Sequence, residues 1–303
     1  MDNPEIIWQP SNEIKKSSNL SRFIELANQQ YSKSIKTEYQ DIWKWSVNNV
    51  ESFWSLMWDF SEIKGSKGTK ISENIGLMPG ARFFPDAKLN YAENLLRAAN
   101  NAIAIEEFRE DGFSNTLTRM ELESKALKMA GWMKNKGVKK GDRVCAYMPN
   151  CSETVITMLA TSALGAIFSS CSSDFGVEGV IDRFEQIEPK IMVAANGYLY
   201  NGKVIDRLEE INTISKRLPS LEHTIVVEYI SSTIGINKLP NFNTVFQSDP
   251  LANYVLCEFN DPLYIVFSSG TTGKPKCITH SIGGVLIQHA KEHLLHILSL
   301  IHI

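Results

Sequence analysis

Cysteine is scarce in this 303-residue chain. Its five cysteines, Cys145, Cys151, Cys171, Cys257 and Cys277, form no Cys-x-x-Cys pair and no spacing with histidine that would hold a metal. That excludes a disulfide scaffold and a zinc module, and leaves reduced thiols that serve mostly as small core side chains in a cytosolic protein. Charge of one sign is missing too: 31 Lys+Arg stand against 34 Asp+Glu, a net charge of −3. Such a balance offers no electrostatic footprint for nucleic acid. Long hydrophobic runs are also absent. The longest apolar stretch, Val155–Ser170, is interrupted by Thr157, Thr161 and Ser162 and is too short to span a bilayer. Met1–Lys16 is polar, with no apolar run of the kind a secretory leader carries. There is no internal repeat and no low-complexity tract. The expectation is a cytoplasmic globular protein that engages neither nucleic acid nor membrane.

Hydrophobic residues at 43% and charged residues at 21% suit one large domain or two smaller ones. Five of the six tryptophans fall within Trp8–Trp58. Leu20–Tyr31 has the apolar spacing of an amphipathic helix. Over Asp41–Ile63, Trp43, Val47, Val50, Trp54 and Met57 recur at spacings of four, three, four and three, which predicts one long helix with that stripe in the core. Ile63–Ala81 holds Gly65, Gly68, Gly76, Pro79 and Gly80 and reads as loop. Asn90 is placed to cap a helix running to Leu96.

From Ala102 the pattern changes. Asp111-Gly112 joins two short strands as a hairpin, and Thr118 with Glu121 forms a capping box for a helix that turns Leu122, Ala126, Met129, Ala130 and Met133 inward. Strands are expected at Val144–Met148, Ala166–Cys171, Lys190–Ala195 and Thr224–Ile230. Helices are expected from Asn150 as cap to about Leu164, over Gly176–Glu188 and over Val204–Lys216. Strands separated by helices of this length imply a parallel sheet with helices on its faces, an α/β architecture.

The stretch around which the chain is organised is Tyr264–His280. The apolar strand Tyr264–Phe267 empties into Ser268-Ser269-Gly270-Thr271-Thr272-Gly273, followed by Lys274-Pro275-Lys276. Gly270 and Gly273 permit backbone turns that direct N–H groups inward, and Ser268, Ser269, Thr271 and Thr272 add hydroxyl donors without bulk. A nest of this kind binds anions, and Lys274 and Lys276 would neutralise their charge. It is not a Walker loop, because two residues rather than four separate Gly270 from Gly273-Lys274. A polyphosphate is the expected ligand.

That ordered string after a hydrophobic strand resembles the phosphate loop of the adenylate-forming acyl-CoA synthetases. The tryptophan-rich N-terminal helix, Arg82–Leu96, Ser169–Lys190 and Thr279–Leu295 are similar to the acetoacetyl-CoA synthetases within that superfamily. Together they cover nearly the whole chain to about His296. The resemblance implies the N-terminal part of the large synthetase domain. Residues 1–98 would be the helical N-terminal segment typical of acetyl- and acetoacetyl-CoA synthetases, and 99–296 a partial AMP-binding domain. It implies a two-step reaction: ATP and acetoacetate give an acyl-adenylate and pyrophosphate, and the CoA thiol then displaces AMP. Magnesium would accompany ATP, with no dedicated protein metal site. Ser268, Ser269, Gly270, Thr271, Thr272, Gly273, Lys274 and Lys276 would hold the ATP phosphates, Lys276 and Thr272 carrying the catalytic weight. Lys203 is the residue left to meet the phosphates of CoA, where acetyl-CoA synthetases have two arginines. An acetyl-, propionyl- or other short-chain acyl-CoA synthetase is the alternative.

Other family motifs are not found in these 303 residues: an aromatic-Gly-x-Thr-Glu segment, a ribose-binding Asp, an Arg hinge and a catalytic Lys. By itself the sequence would then describe a non-catalytic nucleotide-binding module. Leu298–Ile303 resembles the translation of a transposon-end sequencing adapter, which implies a truncated gene model with 297–303 as a non-native tail. An ordinary amphipathic helix end is the competing reading. A cut at that point would expose Ile265 or Phe267 of the last strand, and Ile282, Val285, Leu286 and Leu294 of the following helix.

Overall fold

The computed structural model describes residues 9–36, 38–231, 239–268 and 273–296. The chain divides into two compact units, residues 1–87 with 283–303, and residues 88–282.

The first unit opens with four helices, α1 (Asn12–Ser17), α2 (Asn19–Tyr31), α3 (Tyr39–Asn48) and α4 (Val50–Phe60). The Ser18 hydroxyl caps α2 by accepting from the Ser21 N–H. Phe23 of α2 meets Trp45, Phe53 and Phe60 edge to face at centroid distances of 6.4, 5.6 and 5.3 Å. The single helix expected over Asp41–Ile63 is two helices. Asn49 leaves the helical region at φ −132° and ψ 52°, and its side-chain amide donates to the Trp45 carbonyl at 3.1 Å. A break resets the helical phase, so the stripe counted through it does not survive. Ile42 and Trp45 face the core from α3, and Phe53, Leu56, Met57 and Trp58 from α4. Trp43 and Val47 remain 48% exposed.

The second unit begins with α5 (Tyr91–Leu95), capped by Asn90 as expected. The buried Asn90 amide also reaches the carbonyls of Ser162, Ala163 and Val255 at 2.9, 3.2 and 2.8 Å. Next come the antiparallel hairpin β1 (Ile103–Phe108) and β2 (Ser114–Thr118) and the capped helix α6 (Arg119–Asn135). The core face of α6 is the expected one. The chain continues through β3 (Arg143–Tyr147), α7 (Ser152–Ala163), β4 (Ile167–Cys171), α8 (Val177–Ile187), β5 (Ile191–Ala195), β6 (Gly197–Tyr200), β7 (Lys203–Asp206), α9 (Leu208–Arg217), β8 (His223–Val227), β9 (Pro262–Phe267) and β10 (Cys277–Ser281).

Six of these strands form one sheet in the order β8-β5-β3-β4-β9-β10. All neighbours are parallel except β9 and β10. Strict alternation sorts each strand's side chains between two cores. Val144 and Ala146 join Ile191, Val193 and Ile225 under α6 and α7. Cys145 and Tyr147 join Met192, Ala194 and Val226 under α8 and α9. With helices on both faces, strands such as Ile191-Met-Val-Ala-Ala195 are buried at every position.

Two further expectations are corrected. Val204–Lys216 is not one helix: β7 pairs antiparallel with β6, and α9 starts at Leu208. The β-branched pair Val204-Ile205 suits the pairing, and the Asp206 carboxylate accepts from the Leu208 N–H at 2.8 Å to start the helix. Asn150 does not cap α7. Cys151 holds the cap position without a side-chain bond, and the buried Glu107 carboxylate of β1 takes the Ser152 N–H at 3.1 Å instead. The strand β10, which no sequence signal marked, precedes the helix that follows the Ser/Gly/Thr-rich stretch, and that helix begins at Ile282.

In the first unit, α10 (Ile282–Lys291) continues into a π-helical turn, Glu292–His296. Ile282, Val285 and Leu286 are buried at 1%, 6% and 8% exposure rather than open to solvent, and Leu294 is half-buried. Leu295 lines a small groove with Leu20, Ile42 and Phe53. Residues 297–303 lie outside the described residues. No helix among the described residues is long and apolar enough to cross a membrane.

Candidate phosphate-binding site

In an open parallel sheet, ligands are met beyond the carboxyl ends of the strands, where neighbouring strands send their helices to opposite faces. β3 leads to α7 on one face, and its neighbour β4 leads to α8 on the other. β9 lies alongside β4, with Tyr264 opposite Phe168 and Ile265 opposite Ser169. The Ser169 hydroxyl donates to the Ile265 carbonyl at 2.8 Å and locks that register. The chain therefore leaves β9 at the carboxyl edge, next to the divergence point.

β10 returns antiparallel, pairing Phe267 with Cys277 and Tyr264 with His280. The described ends of the expected phosphate loop, Ser268 and Gly273–Lys276, thus adjoin the paired stems of a β-hairpin. Its base is closed twice: the Ser268 N–H donates to the Lys276 carbonyl at 3.1 Å, and the Lys276 N–H donates to the Ser268 hydroxyl at 3.2 Å. Ser268 therefore fastens the base in addition to any role as a donor. Gly273 sits at φ +89° with open space around it, a conformation costly to any residue with a side chain. Lys274 and Lys276 are exposed. Ser269, Gly270, Thr271 and Thr272 lie outside the described residues, so the structure speaks for Ser268, Gly273, Lys274 and Lys276 only.

Lys203 lies elsewhere, opening β7 opposite Tyr200. The turn between them directs the Asn201 and Gly202 N–H groups onto the Glu110 carboxylate at 3.2 and 2.9 Å. Those two donors are already satisfied by an internal anion, and Lys203 itself is exposed.

Several residues at the carboxyl edge were not singled out from the sequence. Tyr147, last in β3, directs its hydroxyl at the carbonyls of Phe175 and Ser173, at 2.7 and 3.0 Å. Burial pushes its phenol up to about 12. The Arg207 guanidinium donates from Nε to the same Ser173 carbonyl at 3.1 Å, from Nη2 to the Tyr198 hydroxyl at 3.2 Å and from Nη1 to Glu210 at 2.5 Å. These bonds tie the loop after β4 to the β6–β7 hairpin. The Ser173 hydroxyl is buried and has no hydrogen-bond partner among the described residues. A tyrosine ending an apolar strand was the one available signal; nothing local marks Arg207, whose partners lie far apart in sequence. Among the described residues, no group of three or more His, Cys, Asp or Glu side chains is placed to hold a metal ion.

A largely parallel sheet with helices on both faces thus carries, at its carboxyl edge, a hairpin with two exposed lysines, Lys274 and Lys276. The AMP-binding enzyme family matches residues 93–303, more than half of the chain, and the chain belongs to it. The acetyl-coenzyme A synthetase N-terminus matches residues 39–95. The chain is 40% identical over 297 residues to acetoacetyl-coenzyme A synthetase of Rhizobium meliloti (strain 1021), covering 96% of this chain and 45% of the relative. It is likewise 40% identical over 308 residues to acetoacetyl-CoA synthetase of Macaca fascicularis, with the same shares. The solved structure of acetoacetyl-CoA synthetase from Streptomyces lividans matches with a TM-score of 0.90 at 32% identity, covering 95% of this chain and 45% of that one. The chain thus spans a little under half the length of these relatives.

Proposed function

We propose that this chain is the N-terminal portion of a cytoplasmic acid–thiol ligase that activates acetoacetate with ATP to acetoacetyl-AMP and passes the acyl group to CoA. The observation that carries the reading is the hairpin tip at the carboxyl edge, closed at Ser268 and Lys276 and flanked by two exposed lysines, in a chain of the AMP-binding family. ATP brings the phosphoanhydride, and its pyrophosphate leaves with most of the developing charge. Donors fixed around that group stabilise the transition state. Ser268, Ser269, Gly270, Thr271, Thr272, Gly273, Lys274 and Lys276 are assigned to the ATP phosphates, Lys276 and Thr272 being the catalytic pair. Magnesium enters with ATP, held by its phosphates as a hard cation. Lys203 is assigned to a CoA phosphate, as the exposed cation of its hairpin.

The 40% relatives favour acetoacetate as the acid. The match of residues 39–95 to the acetyl-coenzyme A synthetase N-terminus keeps acetate or propionate as a second reading. Residues 1–98 are read as that N-terminal segment, 99–296 as the partial AMP-binding domain and 297–303 as non-native. The 303-residue chain on its own is proposed to bind nucleotide without forming thioester, so the full reaction is tested in an enzyme extended to the length of the relatives.

The test is Thr272→Val in the extended enzyme. It keeps shape and removes one hydroxyl, and pyrophosphate exchange drops by ~10²–10³-fold, about 3–4 kcal/mol, with thermal stability unchanged. Exchange at the wild-type rate would mean that the hydroxyl does not touch the phosphates.

A further inference from the structure

Both stems of the hairpin tip rest on one helix. The Arg183 guanidinium of α8 lies 5.9 Å from the centre of the Phe267 ring, the last residue of β9, and 4.5 Å from that of Phe175. Gln186, one helical turn on, donates from Nε2 to the Pro275 carbonyl at 2.9 Å. Its Oε1 lies 3.7 Å from the Cys277 thiol. Between them in sequence, the Glu185 carboxylate stands 3.5 Å from the Lys274 ammonium. The opposite face of α8 is anchored by Val180, Ile181, Phe184 and Ile187, all buried. The helix is therefore a fixed platform, and three of its polar residues engage the stems before and after the tip.

We propose that α8 sets the position and charge of the phosphate-binding hairpin: Gln186 holds its second stem, and Glu185 occupies Lys274 until a polyphosphate displaces it. This rests on the reading of the hairpin as a phosphate site. The pair suits exchange. Its side chains are 63% and 57% exposed, so the attraction is weak, and a ligand carrying several negative charges outcompetes one carboxylate. Glu185 is thus an internal competitor for Lys274 that weakens nucleotide binding, whereas Gln186 is a positioning residue that strengthens it. Lys276 forms no ion pair among the described residues and meets no such competition.

The experiment is calorimetric binding of magnesium-ATP, repeated with inorganic tripolyphosphate, to the 303-residue chain and to Glu185→Gln, Lys274→Gln, their double variant and Gln186→Leu. Glu185→Gln is expected to tighten binding roughly two- to fivefold, the size of an exposed pair. Lys274→Gln weakens it, and the double variant has the affinity of Lys274→Gln, because the gain passes through Lys274. Added salt narrows the gap between Glu185→Gln and wild type. Gln186→Leu weakens binding roughly fivefold, the worth of one hydrogen bond, with an unchanged melting temperature. If Lys274→Gln weakens binding while Glu185→Gln equals wild type, the competitor role is wrong and the phosphate site stands. Tightening by Glu185→Gln that persists without Lys274 also overturns the role, since it would be a general charge effect. Failure of the wild-type chain to bind either magnesium-ATP or tripolyphosphate removes the phosphate site itself.

Discussion

In the helical unit, Phe23, Trp45 and Phe53 meet edge to face across three helices. In the sheet unit, the strands Arg143–Tyr147 and Ile191–Ala195 bury both faces with mostly small and β-branched side chains, joined by Tyr147 and Met192, and no tryptophan. The two rest on different periodicities. A strand's alternation is local, so Val144 and Cys145 go to opposite cores whatever precedes them. A helix's face is a running phase, and one residue outside the helical region shifts every side chain beyond it. Asn49 is that residue. The sheet core is therefore robust to a misjudged boundary, whereas the aromatic core depends on where each helix begins.

The largest expected effect tests that phase directly. Trp45→Ala removes a buried ring in contact with Phe23 and Phe53 and costs about 3–5 kcal/mol. Trp43→Ala, two residues earlier and half exposed, costs no more than ~1 kcal/mol. Urea midpoints of the two variants check this, and equal losses would restore the unbroken helix.

Next in size is Asn90→Ala in the sheet unit. It removes the cap of α5 and takes the Asn90 amide from the carbonyls of Ser162, Ala163 and Val255, of which Ser162 keeps the Gly165 N–H, Ala163 the Val255 N–H and Val255 the Cys257 thiol. The expected loss is about 2–4 kcal/mol. A loss confined to the ~1 kcal/mol of a surface cap would show that the cross-link contributes nothing.

Smallest per residue is an effect that separates the units by pH. Four of the five cysteines are buried, all in the sheet unit, and Cys277 is exposed. Burial pushes Cys151 and Cys171 up to about 12 and Cys257 to about 11, and Cys145 is raised as well. The unfolded thiols ionise near 9.0 while the folded ones keep their protons. The stabilisation is therefore complete below pH 9 and is lost as pH rises from 9 toward 12. Each thiol contributes up to about 1.4 kcal/mol per pH unit in that window. Urea titrations at pH 8 and pH 10 should show the sheet unit weakening more than the aromatic one. A thiol reagent should modify Cys277 alone at neutral pH; rapid modification of any other would contradict the burial.

Much of the sheet unit was legible in the sequence because its signals are short-range. The Thr118–Glu121 box, Asp111-Gly112 and the apolar strands act within a few residues of themselves. The Val204–Lys216 segment misled because Val204 and Ile205 fit a strand as well as a helix face, and the partner strand that decides between them, Gly197–Tyr200, is only four residues long. β10 was invisible for a related reason. Cys277-Ile-Thr-His-Ser281 is an edge strand exposed over most of its length, with no core pattern to mark it, and it exists because β9 offers it a partner.

By itself, the sequence determined the alternation of strands and helices, the caps, and the composition of the Ser268–Lys276 stretch, since each follows from backbone preference and side-chain chemistry close at hand. Only the tertiary structure decided that this stretch joins the paired stems of a hairpin, and that Glu185 and Gln186 meet its far stem. It also decided that Arg207 and Tyr147 converge on the Ser173 carbonyl. Those contacts join residues 26 to 89 positions apart, and they form only after the parallel sheet has brought the carboxyl ends of its strands to one edge.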